Sequence, residues 1–206
     1  MEQIHTAAAR RRRQREEARR TILDAAEALL VEHGFERFSM RRLAERCGYT
    51  TPTIYHYFRD KQGLCNALLE ERFSELWRRM KRVPQGDDPL ENWRRMTLAF
   101  VRFGLSNPTH YRLLMTPRNG DEPPPAVAEQ LIELTQKPIA ELEASGRLIP
   151  DDVDEARQAA WAMVHGLVSL TTGRPDYAWS RTLVETAVDV LARGLFLPAP
   201  LTGAAE

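Results

Sequence analysis

Apolar residues recur along most of this chain at intervals of three and four, the spacing of a helix face. No segment alternates with the two-residue period of a strand. Between residues 17 and 33, Ile22, Ala25, Ala26, Leu29 and Leu30 fall on one stripe that Gly34 ends, which predicts an amphipathic helix. Residues 39 to 61, SMRRLAERCGYTTPTIYHYFRDK, predict two short helices joined by a tight turn. Leu64, Leu68, Phe73, Leu76, Trp77 and Met80 mark a long helix over 61–82, and the turn formers PQGDDP at 84–89 break the chain. Residues 90–106 read as a helix with Trp93, Met96, Phe100 and Phe103 inward. Asn107 and Pro108 interrupt it, and 109–115 form a short helix. TPRNGDEPPP (116–125) is a loop, and 126–145 is a helix that Pro138 should kink. Two final helices, 151–172 and 178–196, are separated by TGRPD, and no internal repeat appears. The fold class is all-α.

The last two helices are apolar on more than one side. Ala156, Ala159, Ala160, Met163, Val164, Leu167 and Val168 cover two faces of the first, and Leu183, Val184, Ala187, Val188, Leu191, Gly194 and Leu195 do so in the second. A helix that is apolar nearly all round needs a second surface to bury against. Either a deep core within the chain supplies it, or two chains join through a four-helix interface. The homodimer reading assigns Val164, Leu167, Val168, Leu183, Ala187, Val188 and Leu191 to that interface. Small residues at 159, 160, 166, 187 and 194 would let helices approach closely.

The segment from Ser39 to Lys61 has the layout of a helix-turn-helix whose second helix enters the major groove of DNA. Ser39 stands at an N-cap position, and Met40, Leu43 and Ala44 give the first short helix one apolar face that Cys47 continues. Gly48 sits where the chain needs positive φ to leave that helix. Thr50 or Thr51 can cap the second helix, and Pro52 is tolerated in its first turn. Ile54 and Phe58 point inward, which leaves Thr51, Thr53, Tyr55, His56 and Tyr57 on the outer faces. Asp60 can cap the next helix, and Lys61 can reach a phosphate. Thr51, Thr53 and His56 are the candidates for base edges. Ser39, Tyr55, Tyr57 and Lys61 are those for phosphate, Arg41 can do either, and Thr50 completes the set. A surface helical hairpin is the plainer alternative, but turn, cap, proline and charge here agree with one another.

The 206 residues carry no net charge, yet the charge is unevenly spread. Residues 1–83 hold 18 Lys+Arg against 12 Asp+Glu, while 84–206 hold 11 against 17. A basic first part meets polyanions and an acidic remainder does not. Arg10, Arg11, Arg12, Arg13 and Arg15 extend the basic part toward the N-terminus, before Glu16 and Glu17 mark a helix first turn. Such a run is either a disordered solubilising tail or an arm that tracks phosphates or enters a minor groove.

Other classes fall away. No apolar run approaches the 18 or so residues of a membrane span, and the arginine-rich N-terminus has no apolar core of a secretory signal, so a cytoplasmic protein is expected. Cys47 and Cys65 form no disulfide or metal framework, and both fall on apolar helix faces. No phosphate-binding loop, dinucleotide fingerprint, nucleophile elbow or metal spacing is present, and the five histidines are scattered. Neither an enzyme nor a cofactor is expected. A helical protein-interaction module without DNA binding would not need the basic first part.

CGYTTPTIYHYFRDKQGL resembles the recognition segment of TetR-family transcriptional regulators, and TILDAAEALLVEHGFERFSMRRLAERCG resembles the family's first two helices, with its Gly-Phe pair. The match covers about residues 17 to 69. Pro52 stands where Gly or Ala is commoner, and His56 where Arg or Lys often stands. AWAMVHG (160–166) resembles the Trp-x-x-x-His-Gly signature of one class of TetR C-terminal domain. The resemblance implies an N-terminal three-helix helix-turn-helix domain and a C-terminal helical domain for ligand binding and dimerisation. The expected division is a basic flexible arm at 1–16, the DNA-binding domain at 17–65, the regulatory and dimerisation domain at 66–197 and a tail at 198–206. It also implies a homodimer on a double-stranded operator, repression, and release by a small-molecule effector. An apolar or aromatic effector would sit near Trp93, Met96, Phe100, Phe103, Tyr111, Met115, Trp161 and His165, each of which also suits plain core.

Overall fold

The computed structural model describes residues 2–115 and 124–199, with backbone alone for 2–6, 35 and 36. The described residues form α1 (Glu2–Arg37), α2 (Met40–Cys47), α3 (Thr51–Phe58), α4 (Lys61–Lys81), α5 (Pro89–Ser106), α6 (Pro108–Met115), α7 (Ala126–Ala144), α8 (Val153–Gly173) and α9 (Leu183–Leu195). No strand is found among them, only an isolated bridge between Leu148 and Phe196. Most of the loop expected at 116–125, and most of the tail expected at 198–206, lie outside the described residues.

The chain divides into two compact units at places other than those expected. One unit comprises Met1–Arg72 together with Thr109–Pro125, and the other Phe73–Pro108 with Ala126–Glu206. The first unit therefore includes seven residues past the expected boundary at 65, and nearly all of α6. Periodicity cannot locate such a boundary, because α4 runs through it without a break.

In the first unit Ile22, Leu23, Leu43, Ile54, Leu64 and Leu68 are fully buried in one core that also takes Phe38, Phe58 and Leu113. Beside it lies a buried ionic cluster. Arg72 Nε donates to Glu27 Oε2 at 3.0 Å and Nη2 donates to Asp24, and His110 Nε2 lies 3.2 Å from Glu27 Oε2. A charge this deep persists only with such partners.

The expected arm at 1–16 continues α1 instead of preceding it. Residues 2–16 contain neither glycine nor proline and are rich in alanine and arginine, good helix formers. Arg12 and Glu16 add an ion pair one turn apart at 3.6 Å. The arginines from Arg10 to Arg15 stand exposed on this helix. Gly34, at φ 73, interrupts the helical geometry near its end, where glycine meets no steric cost.

In the second unit Trp93, Ile139, Leu142, Ala156, Val188, Leu191 and Leu195 share a core, and the Trp93 ring meets Phe196 edge-on with centroids 4.9 Å apart. Asp88 caps α5 by accepting from the Leu90 amide at 3.2 Å and pairs with Arg147 Nη1 at 2.7 Å. Arg147 also donates from Nε to the Leu197 carbonyl and accepts the Leu197 amide, which ties the end of the chain to the α7–α8 connection. Arg94–Asp189 at 2.7 Å and Arg102–Glu185 at 2.9 Å fasten α9 to α5. Pro138 lies buried inside α7. The last helix starts five residues later than periodicity suggests. Trp179 Nε1 donates to the Arg174 carbonyl, and Ser180 Oγ accepts from the Thr182 amide, so side chains satisfy a turn where helix was expected.

Candidate nucleic-acid interface and internal cavity

Short-range chemistry shapes α2 and α3. Ser39 Oγ accepts from the Arg42 amide at 3.2 Å, which caps α2. Gly48 takes φ 73 and ψ 18, the left-handed conformation that ends a helix, and its amide donates to the Ala44 carbonyl at 3.0 Å. Thr50, not Thr51, caps α3. Its Oγ1 accepts from the Thr53 amide at 3.3 Å and lies 2.8 Å from the Thr53 hydroxyl. Pro52 falls in the first turn, where a missing N–H costs nothing.

Burial of Ile54 and Phe58 fixes which side of α3 faces out. Thr50, Tyr55 and His56 are exposed, and Thr51, Thr53 and Tyr57 are half-buried. Arg41 is exposed and pairs with Glu45 at 3.0 Å. Ser39 and Lys61 are half-buried, and the Lys61 ammonium lies 5.6 Å from the centre of the Phe38 ring. Tyr57 is held from two sides, by the edge of His56 and by the Arg15 guanidinium 5.9 Å above its ring. The Arg46 guanidinium binds Glu32 through two hydrogen bonds of 2.7 Å, holding that carboxyl below its ordinary value. This fixes the end of α2 against α1.

Sequence reasoning places Arg59 at the opening of the next helix and gives no role to Gly63, yet Arg59 ends α3 and both residues shape the exit from it. Arg59 has φ 63 and ψ −55, and the Asp60 amide donates to the Phe58 carbonyl at 2.8 Å across it, which makes a tight γ-turn. Asp60 Oδ1 then caps α4 by accepting from the Gly63 amide at 2.7 Å. A Cβ on Gly63 would stand 2.3 Å from the Phe58 carbonyl oxygen. The glycine of KQGL, inside a first helical turn, was the visible signal.

The second unit has a cavity of about 170 Å³ that is partly open to solvent. Of the residues expected around an effector, Trp93, Met96, Phe100 and Trp161 line it, together with Met80, Ile132, Ile139 and Val164. The others lie elsewhere. Phe103 is wholly buried beneath the Arg79 guanidinium, and His165 stacks on Trp161 with centroids 5.5 Å apart. Tyr111 and Met115 belong to the first unit, where burial pushes the Tyr111 phenol up to about 12. They fall there because α6 joins the core of α1–α4, a long-range association that periodicity cannot reveal.

The residues expected at a dimer interface divide in the same way. Val168, Val188 and Leu191 are buried within their own chain, while Val164, Leu167, Leu183 and Ala187 are half-buried. The three buried ones face the core of the second unit because i and i+3 positions of α9, and one position of α8, turn inward. Exposed instead are Met163 and Leu170 on α8 and Val190 on α9. Added Cβ atoms at Gly166 and Gly194 would meet nothing.

Comparison with known proteins follows the same two-part division. Residues 22–68 match the family description of bacterial regulatory proteins, tetR family, and residues 93–195 match that of the tetracyclin repressor-like C-terminal domain. The chain is 28% identical over 179 residues to the HTH-type transcriptional repressor KstR of Rhodococcus jostii, covering 85% of this chain and 82% of that one. It is 37% identical over 82 residues to the tetracycline repressor protein class A from transposon 1721 of Escherichia coli, covering 40% and 36%. Among solved structures, a TetR family transcription regulator from Marinobacter aquaeolei VT8 superposes with a TM-score of 0.75 at 20% identity, covering 89% of this chain and 98% of that one. NalD, the secondary repressor of the MexAB-OprM multidrug efflux pump in Pseudomonas aeruginosa, does so with a TM-score of 0.66 at 26% identity, covering 89% and 98%. The chain therefore belongs to the tetR family of bacterial regulatory proteins, and it is a DNA-binding transcriptional regulator rather than an enzyme.

Proposed function

We propose that the chain is a repressor that binds, as a homodimer, a roughly palindromic operator and is released by a small apolar or aromatic effector. The observation that carries this reading is the outward face of α3. It is capped by Thr50, rooted by Ile54 and Phe58, and leaves Tyr55 and His56 exposed. On it, Thr51, Thr53 and His56 read base edges, while Ser39, Tyr55, Tyr57 and Lys61 hold phosphate and Arg41 serves either role. The exposed arginines at the start of α1 add sequence-independent attraction.

Two copies join through α8 and α9 on the face that carries Met163, Leu170 and Val190, with half-buried Leu167, Leu183 and Ala187 beside it. The exposed apolar side chains and the open space over Gly166 and Gly194 support this reading. The effector occupies the cavity lined by Trp93, Met96, Phe100 and Trp161.

Selection of bound sequences from a random duplex pool tests the whole proposal. Two related half-sites about one helical turn apart are expected. On the selected site, Lys61→Ala weakens binding to all sequences and lowers the slope of log K against log salt by about one unit. A changed base preference with an unchanged slope would remove Lys61 from the phosphate set.

A further inference from the structure

The cavity of the second unit holds one charged group, Arg157. Its other polar lining comes from Thr97, Thr135 and Gln136, and no carboxylate lines it. Arg157 is only half committed. Its Nη1 donates to Asp154 Oδ1 at 2.9 Å, whereas its Nε is buried with no hydrogen-bond partner among the described residues. A guanidinium presents its donors as a rigid fork suited to a carboxylate, and a buried donor left without an acceptor is costly.

Size narrows the ligand further. About 170 Å³ is close to the roughly 150 Å³ of a cavity that accepts benzene, so a single ring or a short chain fits. Ile132 and Trp161 line the same cavity and are 51% and 62% exposed, an apolar rim beside the cation. A neighbouring hollow shares Gln136 and Arg157 and adds Lys81, Lys137 and Glu133.

We propose that the effector is a small apolar monocarboxylate, one ring or a short chain in bulk, whose carboxylate pairs with the Arg157 guanidinium. This rests on the cavity being the effector site, as read above, and adds the head group.

Calorimetric titration of the full-length protein with matched acid and amide pairs tests it: benzoate with benzamide, phenylacetate with phenylacetamide, hexanoate with hexanamide. Each pair keeps the apolar body and changes the charge. At least one acid should bind tenfold or more tighter than its amide. Arg157→Met should bring that acid down to the level of the amide, and a far-ultraviolet circular dichroism spectrum matching that of the unaltered protein shows that the variant is folded. Arg157→Lys keeps a cation but loses the planar fork of donors, and it should lose most of the preference as well. Equal binding of acids and amides to the unaltered protein, or a preference that survives Arg157→Met, overturns the head-group assignment while the apolar-effector reading stands. Binding of neither series overturns both.

Discussion

Gly63 shows how much one missing atom can govern. A side chain there would meet the Phe58 carbonyl, so the γ-turn at Arg59 and the Asp60 cap would have to shift to admit one. Gly63→Ala should lower stability by about 2 kcal/mol, an overpacking cost, because backbone rather than a flexible side chain must yield. It should also displace the end of α3 and weaken operator binding. Urea denaturation and fluorescence anisotropy on the selected operator measure the two effects. Gly48 is the useful contrast. It also has positive φ, but nothing lies within 4 Å of an added Cβ, so Gly48→Asn carries only the strain of the left-handed region, which Asn tolerates best, and should cost less than Gly63→Ala. Equal losses for both variants would contradict this distinction. At this scale the sequence was informative wherever chemistry is local. Ser39, Gly48 and Pro52 announce their roles through neighbours three or four residues away. Thr50 and Thr51 were indistinguishable because adjacent threonines offer the same cap, and the contact at Gly63 depends on how sharply the chain turns at Arg59, four residues earlier.

Between elements, ion pairs carry much of the specificity. Arg72 on α4 lies in a pocket with Glu27 and Asp24 of α1, and Glu27 is almost wholly buried. Arg72→Ala should cost about 3 to 5 kcal/mol, since a buried carboxylate is left without its cation. Adding Glu27→Gln should recover part of that loss, and chemical denaturation of the single and double variants measures the coupling. In the second unit Asp88 serves α5 and Arg147 together. Burial pushes its carboxyl up, but Arg147 and the amides of Leu90 and Glu91 outweigh that and hold it below the ordinary value of 3.8. A depressed carboxyl stabilises the fold above its unfolded value and loses that contribution as pH falls through its folded value. Asp88→Asn keeps a capping side chain and removes the charge, so its melting temperature should fall below that of the unaltered protein at pH 7. The gap should narrow progressively as pH falls below the ordinary value of 3.8 and through the lowered folded value. A gap independent of pH would mean that the ion pair contributes nothing. Helical periodicity located every one of these helices, because each has an amphipathic face. It could not pair Arg72 with Glu27 or Asp88 with Arg147, which are brought together only by folding.

Over the whole molecule, the doubly apolar α8 and α9 satisfy two demands with different residues. Val188 is 1% exposed and Val190 is 59% exposed, two positions apart on one helix. Under the proposed dimer, Val190→Asp and Leu170→Asp should yield folded monomers by sedimentation with native far-ultraviolet circular dichroism. Val188→Asp should unfold the second unit instead. Persistent dimers in the first two variants would place the interface elsewhere. Sequence alone marked both helices as apolar all round, but the side each presents to its own core is set by α5 and α7, far away along the chain. The division into units was equally hidden, and it constrains how this regulator can be rebuilt. The unit that carries α3 borrows Thr109–Pro125 from the middle of the chain, and Leu113 and His110 meet partners from the first 72 residues. A chimera that grafts residues 1–72 onto another sensor would leave those partners facing a foreign surface. A transplant has to carry the borrowed segment with it, because the chain passes between the two units three times, after Arg72, after Pro108 and after Pro125.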